Sequence, residues 1–162
     1  MVLKLRDRIL AGPAGDERSL TEEEIIELAL GVDLAALETG DYCKYQKHCY
    51  ARNTVMLNGH VELVVICWAA NQASSVHDHG RSNCLYLVVD GTMQEELYVL
   101  EDGEPIRTEA RTWERGEITM ASGPTIHRIS NPTERDLFTI HIYSPPLGDT
   151  VTNYTPIPTY DE

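Results

Sequence analysis

Apolar residues at helical spacing are confined to about the first 40 positions. The first predicted helix carries a stripe of apolar side chains and should end at a Gly-Pro pair: Val2, Leu3, Leu5, Ile9 and Leu10, then Gly12-Pro13. The second begins at a capping box, in which Thr21 and Glu24 satisfy each other's backbone N–H groups. Its apolar positions are Ile25, Ile26, Leu28 and Leu30, and Gly31 should end it. A further short helix is expected between Asp33 and Gly40.

From about residue 48 onward, the pattern changes to short apolar runs separated by turn residues. The runs are 53–57, 61–68, 85–89, 96–100, 125–130 and 137–143. Turn dipeptides stand between several of them: Asn58-Gly59, Asp90-Gly91 and Asp102-Gly103. Asn58-Gly59 predicts a type I′ hairpin turn with positive φ at both residues. Several short strands with such turns indicate an all-β sandwich or barrel. We therefore expect one domain over 1–162, with a helical part at about 1–40 and a β-barrel at about 48–157.

Composition and charge narrow the possible partners. The formal net charge is -13, so the surface repels phosphate backbones and nucleic acid is not an expected partner. No apolar run approaches the roughly 20 residues that span a bilayer, and the first residues lack a secretory signal pattern. We expect a cytoplasmic monomer that does not bind membranes. Its four cysteines form no CxxC pair, which favours reduced thiols: Cys43, Cys49, Cys67 and Cys84.

Two histidines give the first indication of chemistry. His77 and His79 are separated by one residue, and such residues point to the same face of a strand. Two imidazoles that converge inside a barrel could bind iron, zinc, copper or nickel. An HxH pair also occurs by chance, and a single histidine amid apolar neighbours, such as His127, is usually structural. The histidines alone therefore leave a metal site open.

Taken together, the segments around these histidines resemble the paired motifs of the cupin superfamily. The first motif is matched by His77, His79, Cys84 and Gly91, and the second by Gly116, His127 and Asn131. The resemblance implies a double-stranded β-helix, or jelly-roll, barrel with short N-terminal helices, in which His77, His79 and His127 hold a metal ion. Cys84 stands where a typical cupin has glutamate. Three neutral histidines would then remain, with a free coordination face for a thiolate and O₂.

Five segments narrow the resemblance to the cysteine dioxygenase family. They are Tyr50-Ala51-Arg52-Asn53, Cys67-Trp68, Ser74-Ser75-Val76-His77-Asp78-His79, Cys84, and His127 with the closing His141-Ile142-Tyr143-Ser144-Pro145-Pro146. Their order and spacing carry the resemblance, which spans about residues 50–147. It implies Fe(II) as the metal, L-cysteine and O₂ as substrates, and cysteine sulfinic acid as the product, a step of cysteine catabolism.

The resemblance also implies how the substrate carboxylate is held. Arg52 matches the family's substrate arginine, and Tyr50 shares its face at an alternate position of a strand. A surface arginine or a structural ion pair is the alternative for Arg52. Relatives that oxidise mercaptopropionate tend to carry glutamine at this place, so Arg52 favours cysteine. Trp68 and Ile66 are expected to line or back the pocket.

The resemblance implies further roles for residues of the last predicted strand, 137–143. Tyr143 would hydrogen-bond the carboxylate or a bound oxygen species, and His141, itself steadied by Thr139, would orient it. In some relatives the matching tyrosine and cysteine are joined by a thioether, so a Cys84–Tyr143 crosslink can form. The alternative is a buried thiol beside a core tyrosine. The family also has a cis peptide at the place of Ser144-Pro145.

Three other functions stay open. The same chemistry could act on another small thiol acid, 3-mercaptopropionate or mercaptosuccinate. The chain could instead be a metal cupin of another class, such as an isomerase or a zinc or nickel enzyme. It could also be a non-catalytic cupin that binds a metal or ligand. The cysteine at position 84, where most cupins have glutamate, argues against the last two.

Overall fold

The computed structural model describes residues 2–11, 18–34, 42 and 44–160. Within this part, two helices precede eight strands, and a short 3-10 helix, Gly148–Thr150, follows them. The helices are α1 Val2–Ala11 and α2 Glu22–Leu30. The strands are β1 Ala51–Leu57, β2 Glu62–Trp68, β3 Asn83–Asp90, β4 Thr92–Glu101, β5 Glu104–Glu114, β6 Ile118–Ala121, β7 Ile126–Ser130 and β8 Leu137–Ser144. The chain is mainly β, as its sequence predicts.

The larger sheet has five antiparallel strands in the order β1-β2-β8-β3-β6. Every residue of β2 and β8 is buried, because both faces of this sheet are covered. Strand alternation turns Leu63 and Val65 toward the helices, and Val64 and Ile66 toward the interior between the two sheets. Burial on both faces explains why β2 is a nearly continuous apolar run in the sequence.

The two helices cover the outer face of the larger sheet. Leu5 and Ile9 of α1 and Ile25 of α2 are buried in one cluster with that face. A fully buried side chain of this size contributes about 1.5–3 kcal/mol relative to an exposed one. The predicted capping box is confirmed: the Glu24 N–H donates to Oγ1 of Thr21, and the Thr21 N–H donates to Oε2 of Glu24. The helix predicted to close at Gly40 and the stop predicted at Gly12-Pro13 lie outside the described residues.

The smaller sheet, in the order β5-β4-β7, packs against the inner face of the larger sheet. Met93 of β4 and Ile129 of β7 are buried against the inner face of the larger sheet. Most residues of β5 are exposed. Because β5 carries charged residues on both faces, its sequence lacks apolar alternation, and neither β5 nor the short β6 was predicted.

The turns follow the sequence with one correction. Asp102 and Gly103 have φ values of 50° and 87° and form the two-residue link between β4 and β5. Asn58 and Gly59 do join β1 to β2, but neither has positive φ, so the predicted type I′ turn is wrong. The Asn58 side-chain oxygen instead accepts hydrogen bonds from the N–H groups of His60 and Val61, both at 2.8 Å. This side chain organises a wider turn.

Gly91 marks the place where the chain passes from the larger sheet to the smaller one. Its φ is 89°, and a Cβ at this position would lie 2.7 Å from the backbone oxygen of Asp136. Both the conformation and the close approach therefore require glycine.

Neither helix in the described ranges has the length and apolar character needed to cross a membrane.

Candidate metal centre and substrate cavity

Three histidine side chains meet at the inner end of a cavity between the sheets. His77 and His79 lie in the connection from β2 to β3, and His127 lies on β7. The Nε2 atom of His79 is 3.3 Å from the Nε2 atoms of both His77 and His127. The structure therefore brings together the three residues that the sequence predicts as metal ligands.

The regular strand predicted for His77 and His79 is wrong. His77 instead forms single antiparallel bridges with His127 and with Asn153. The His77 N–H donates to the His127 oxygen and the His127 N–H to the His77 oxygen, both at 2.9 Å. This reciprocal pair fixes the backbones of two candidate ligands against each other without a continuous strand.

The partners of the other ring nitrogens determine which nitrogen carries a proton. Nδ1 of His77 lies 3.0 Å from the carbonyl oxygen of Ser75, which can only accept, so this nitrogen carries the hydrogen. Nδ1 of His127 lies 3.0 Å from Oε1 of Glu95, a buried carboxyl that also accepts from Trp113 Nε1 at 3.3 Å. Both rings therefore direct an Nε2 lone pair toward the cluster, as metal-binding histidines with oriented partners do.

Electrostatics keep these imidazoles neutral. Burial lowers the pKa of His79 to about 2, with further contributions from His127 and His77. Burial also lowers the pKa of His77 and of His127. Neutral imidazoles with converging lone pairs repel one another at 3.3 Å, whereas a cation between them would be stabilised. The donor set fits a metal ion, and its nitrogen ligands suit iron, zinc, copper or nickel.

A hydrogen-bonded chain runs along the inner face of β8. Trp68 Nε1 donates to Oγ1 of Thr139 at 3.0 Å, and that oxygen lies 2.9 Å from Nε2 of His141. Nδ1 of His141 then lies 3.2 Å from the Tyr143 hydroxyl. His141 is thus occupied by Thr139 and Tyr143 and stays outside the three-histidine cluster, as expected.

Cys84 lies opposite Tyr143 in the pairing of β3 with β8. Its thiol is fully buried, and burial raises its pKa, with hydrogen bonds from the phenols of Tyr86 and Tyr143 acting in the opposite direction. Sγ of Cys84 is also 4.0 Å from Nδ1 of His141. The predicted neighbourhood of Cys84 and Tyr143 is therefore present. The Ser144-Pro145 peptide bond, whose isomer the sequence left open, is cis, as in the family that the sequence resembles.

Arg52 stands at the other end of the site. Its guanidinium donates from one nitrogen to the Tyr143 hydroxyl at 3.3 Å and from the other to Oε1 of Glu62 at 3.0 Å. Cζ of Arg52 is 5.3 Å from the centre of the Tyr143 ring, and that ring is 5.6 Å from the ring of His79. Tyr143 therefore lies between the arginine and the three histidines. Arg52 therefore forms an ion pair with Glu62, which is the structural role that the sequence left open beside substrate binding.

Two neighbouring cavities with shared lining residues give access to these groups. The outer one has a volume of about 300 Å³, and both are lined by Tyr50, Arg52 and His77. The inner one reaches His79, His141 and Tyr143 together with Trp68 and Ile66. Tyr50 stacks on Trp68 with ring centres 4.4 Å apart. The predicted pocket residues are thus collected around one space.

Three residues of this site were not found from the sequence. Tyr86 is buried, lines the inner cavity and places its hydroxyl 3.2 Å from Nε2 of His127. Its position two residues after Cys84 on the same strand could have indicated an inward phenol. Glu95 and Glu62 could not have been recognised, because their partners His127 and Arg52 are 32 and 10 residues away.

Comparisons with known proteins agree with this geometry. Residues 16–156 match the family "Cysteine dioxygenase type I". The human protein "Cysteine dioxygenase type 1" is 30% identical over 140 residues, which cover 83% of this chain and 69% of the relative. The zebrafish (Danio rerio) protein of the same name is 27% identical over 136 residues, covering 80% of this chain and 68% of the relative.

Solved structures support the architecture. A conserved protein with a double-stranded β-helix domain from Klebsiella pneumoniae superposes with a TM-score of 0.61 at 14% identity, covering 72% of this chain and 88% of its own. At this identity the likeness concerns the fold alone, and it confirms the predicted cupin barrel. On the family match and the human relative, the chain belongs to the cysteine dioxygenase type I family.

Proposed function

We propose that the protein is an Fe(II)-dependent thiol dioxygenase that converts L-cysteine and O₂ to cysteine sulfinic acid. One observation carries the proposal: three neutral imidazole nitrogens converge at one end of a cavity, and an arginine stands at the other, with Tyr143 between them. A small molecule with a thiol and a carboxylate matches both ends. Membership of the cysteine dioxygenase family supports the same reaction.

The reaction balances without a further reductant. The thiol sulfur gains both oxygen atoms of O₂, so a thiol becomes a sulfinic acid while O₂ supplies the oxidising equivalents. Bound iron would supply the place where thiolate and O₂ meet, held by His77, His79 and His127. The protein contributes neutral ligands in fixed orientation and a carboxylate anchor, which hold the reactants in one geometry.

Arg52 and Tyr50 would bind the substrate carboxylate. The guanidinium has five N–H donors, and the described residues take two of them, so donors remain for a carboxylate. About one third of the Arg52 side chain is exposed, at 32%, which leaves it accessible from the outer cavity. Trp68 would support this end by holding the ring of Tyr50 in place.

The Tyr143 hydroxyl would donate a hydrogen bond to the substrate or to oxygen. If Thr139 donates to Nε2 of His141, then Nδ1 of His141 donates to the Tyr143 oxygen. The Arg52 guanidinium donates to the same oxygen. The Tyr143 hydroxyl hydrogen is then directed away from both donors, and a substrate or oxygen atom in the inner cavity would compete for it with the Cys84 thiol. His141 is a positioning residue in this account.

We also propose that Cys84 and Tyr143 can become joined by a thioether. The crosslink would form a C–S bond in place of the thiol S–H and one ring C–H bond of the tyrosine, and O₂ would take up the two hydrogens and two electrons as hydrogen peroxide. Intact-mass measurement of wild type and Cys84→Ser after turnover tests this, because only the wild type should lose two hydrogen atoms.

We also propose that the protein is a monomer in the cytoplasm. Sedimentation tests the oligomeric state, and cell fractionation tests the location.

The function is tested by loading the protein with Fe(II) without oxygen, adding one thiol, and then adding O₂. Oxygen uptake and sulfinate formation are followed for L-cysteine, 3-mercaptopropionate and mercaptosuccinate. We expect cysteine sulfinate with matching O₂ uptake, and none with His77→Ala. Product from another thiol alone would keep the metal chemistry and overturn the substrate. No uptake with any thiol would leave a non-catalytic cupin.

A further inference from the structure

Arg52 already has an anionic partner inside the protein. Oε1 of Glu62 lies 3.0 Å from the guanidinium, and Oε2 of Glu62 accepts a hydrogen bond from the Leu147 N–H at 3.3 Å. The Glu62 side chain is only 11% exposed. Glu62 also lies opposite Tyr143 in the pairing of β2 with β8. Its carboxylate is therefore fixed at both oxygens beside the proposed carboxylate anchor.

Glu62 changes the charge balance of the cavity. Among the described residues that line either cavity, Arg52 is the one cation and Glu62 the one carboxylate. These two charges pair with each other at 3.0 Å, so the arginine is already balanced inside the protein. A dipositive metal ion would be balanced by one thiolate and one carboxylate, and a second carboxylate would exceed this balance.

Glu62 also limits the space around Arg52. It occupies one terminal nitrogen of the guanidinium, and the Tyr143 hydroxyl accepts from the other. The remaining donors can hold one carboxylate group. A second carboxylate on the same molecule would meet the oxygen atoms of Glu62 in the outer cavity, where few other charges offset them.

We propose that Glu62 determines specificity by restricting the site to thiols with a single carboxylate. The inference rests on the proposed function, and it separates L-cysteine from mercaptosuccinate, a thiol with two carboxylates. Glu62 orients Arg52 for one carboxylate and repels the second. Removal of the Glu62 charge should therefore improve the binding of the dicarboxylate thiol and leave that of the monocarboxylate thiol nearly unchanged.

The test measures binding and turnover separately. Fe(II)-loaded wild type, Glu62→Gln and Glu24→Gln are titrated without oxygen with L-cysteine and with mercaptosuccinate by calorimetry, and kcat/KM is then measured in air. Glu24→Gln is the matched control, because it also removes one carboxylate charge beside an arginine but lies on α2 and lines neither cavity. Glu62→Asp is the second variant, since it keeps the charge.

We expect the wild type to bind L-cysteine more tightly than mercaptosuccinate. Glu62→Gln should strengthen mercaptosuccinate binding by about 10-fold, a change of one decade in Kd, with L-cysteine binding within about threefold. Glu62→Asp and Glu24→Gln should keep the wild-type ratio. If the ratio of the Kd values for mercaptosuccinate and L-cysteine is the same in wild type and Glu62→Gln, the role of Glu62 is overturned, even if cysteine is oxidised. Altered ratios without any oxidation would support Glu62 and overturn the proposed function instead. If neither thiol binds the wild type, both fail.

Discussion

The two ends of the cavity are built in different ways. At the inner end, His77 and His127 are held by reciprocal backbone hydrogen bonds, and their Nδ1 atoms are directed at a carbonyl and a carboxylate. At the outer end, Arg52 and Glu62 are held by each other, and the arginine side chain is 32% exposed. The inner end holds mostly buried imidazoles, whereas the outer end holds a charged and partly exposed pair. In the proposed function, the metal chemistry and the binding of the substrate carboxylate would therefore take place at different ends.

The largest expected effect comes from removing an inner ligand. His79→Ala should abolish sulfinate formation and weaken metal binding by more than about 100-fold, since even residues that only orient a ligand cost 10–100-fold. Metal content after dialysis and O₂ uptake measure both changes. His48→Ala is the control, because the exposed His48 side chain lies 3.1 Å from the carbonyl oxygen of Tyr160 and is not part of the three-histidine cluster. Normal metal retention by His79→Ala would contradict the proposed ligand set.

Removing the outer anchor should leave the metal in place. Arg52→Ala is expected to lower kcat/KM for L-cysteine by about 100-fold with unchanged metal content, because a charged carboxylate partner is lost. The same change leaves Glu62 without its cation, so the free energy of unfolding should fall as well.

The double variant Arg52→Ala/Glu62→Gln separates these two effects. It should recover stability without recovering kcat/KM. Recovery of both quantities would assign Arg52 a structural ion pair alone.

A smaller effect is expected from changing a residue that orients a candidate metal ligand without binding the metal itself. Glu95→Gln keeps the shape but removes the carboxylate that orients His127, so metal affinity should fall by about 10–100-fold. Competition with a metal chelator gives the affinity. Trp113→Phe removes the hydrogen bond to Glu95 and some packing but keeps the Glu95 carboxylate beside His127, so the loss of metal affinity should be smaller. A larger loss in Trp113→Phe than in Glu95→Gln would contradict this order.

The smallest effect concerns an Arg–Glu pair outside the cavity. Hydrogen bonds from Arg18 and from the Thr21 N–H lower the pKa of Glu24 to about 2, below the value of about 4.3 in an unfolded chain. A lowered folded-state pKa stabilises the fold above about pH 4.3, and this stabilisation is lost as the pH falls toward about 2.

Glu24→Gln should therefore be slightly less stable than wild type at neutral pH and equal to it near the acid limit. Urea unfolding at several pH values measures the difference. A difference that grows as the pH falls would contradict the sign, and any change in substrate preference would weaken the contrast between cavity and surface pairs.

The sequence predicted the inner end better than the outer end. His77, His79 and His127 were recognisable because their motifs are local, and the turn dipeptides located most strands of the barrel. Glu62 was not predicted because it lies at the start of an apolar run in the sequence. Its contact with Arg52 depends on how β1 pairs with β2. Tyr86 was missed although its spacing of two residues from Cys84 indicates an inward phenol, because that spacing does not distinguish a site tyrosine from a core tyrosine.

Local geometry was also less predictable than the architecture. The histidine pair was expected on a regular strand, but His77 divides its bridges between His127 and Asn153, two residues far apart in the sequence. The type I′ turn failed because the Asn58 side chain competes for the N–H groups that would define it. In both cases a contact outside the local pattern determined the backbone.

The most direct test of the dioxygenase assignment uses isotopically labelled O₂. Fe(II)-loaded wild-type protein is given L-cysteine under the labelled gas, and the product is analysed by mass spectrometry. The account predicts cysteine sulfinate in which both sulfinate oxygens carry the label, with one O₂ consumed for each product molecule. A product with one labelled oxygen, or with none, would contradict transfer of both atoms to the sulfur and with it the proposed reaction.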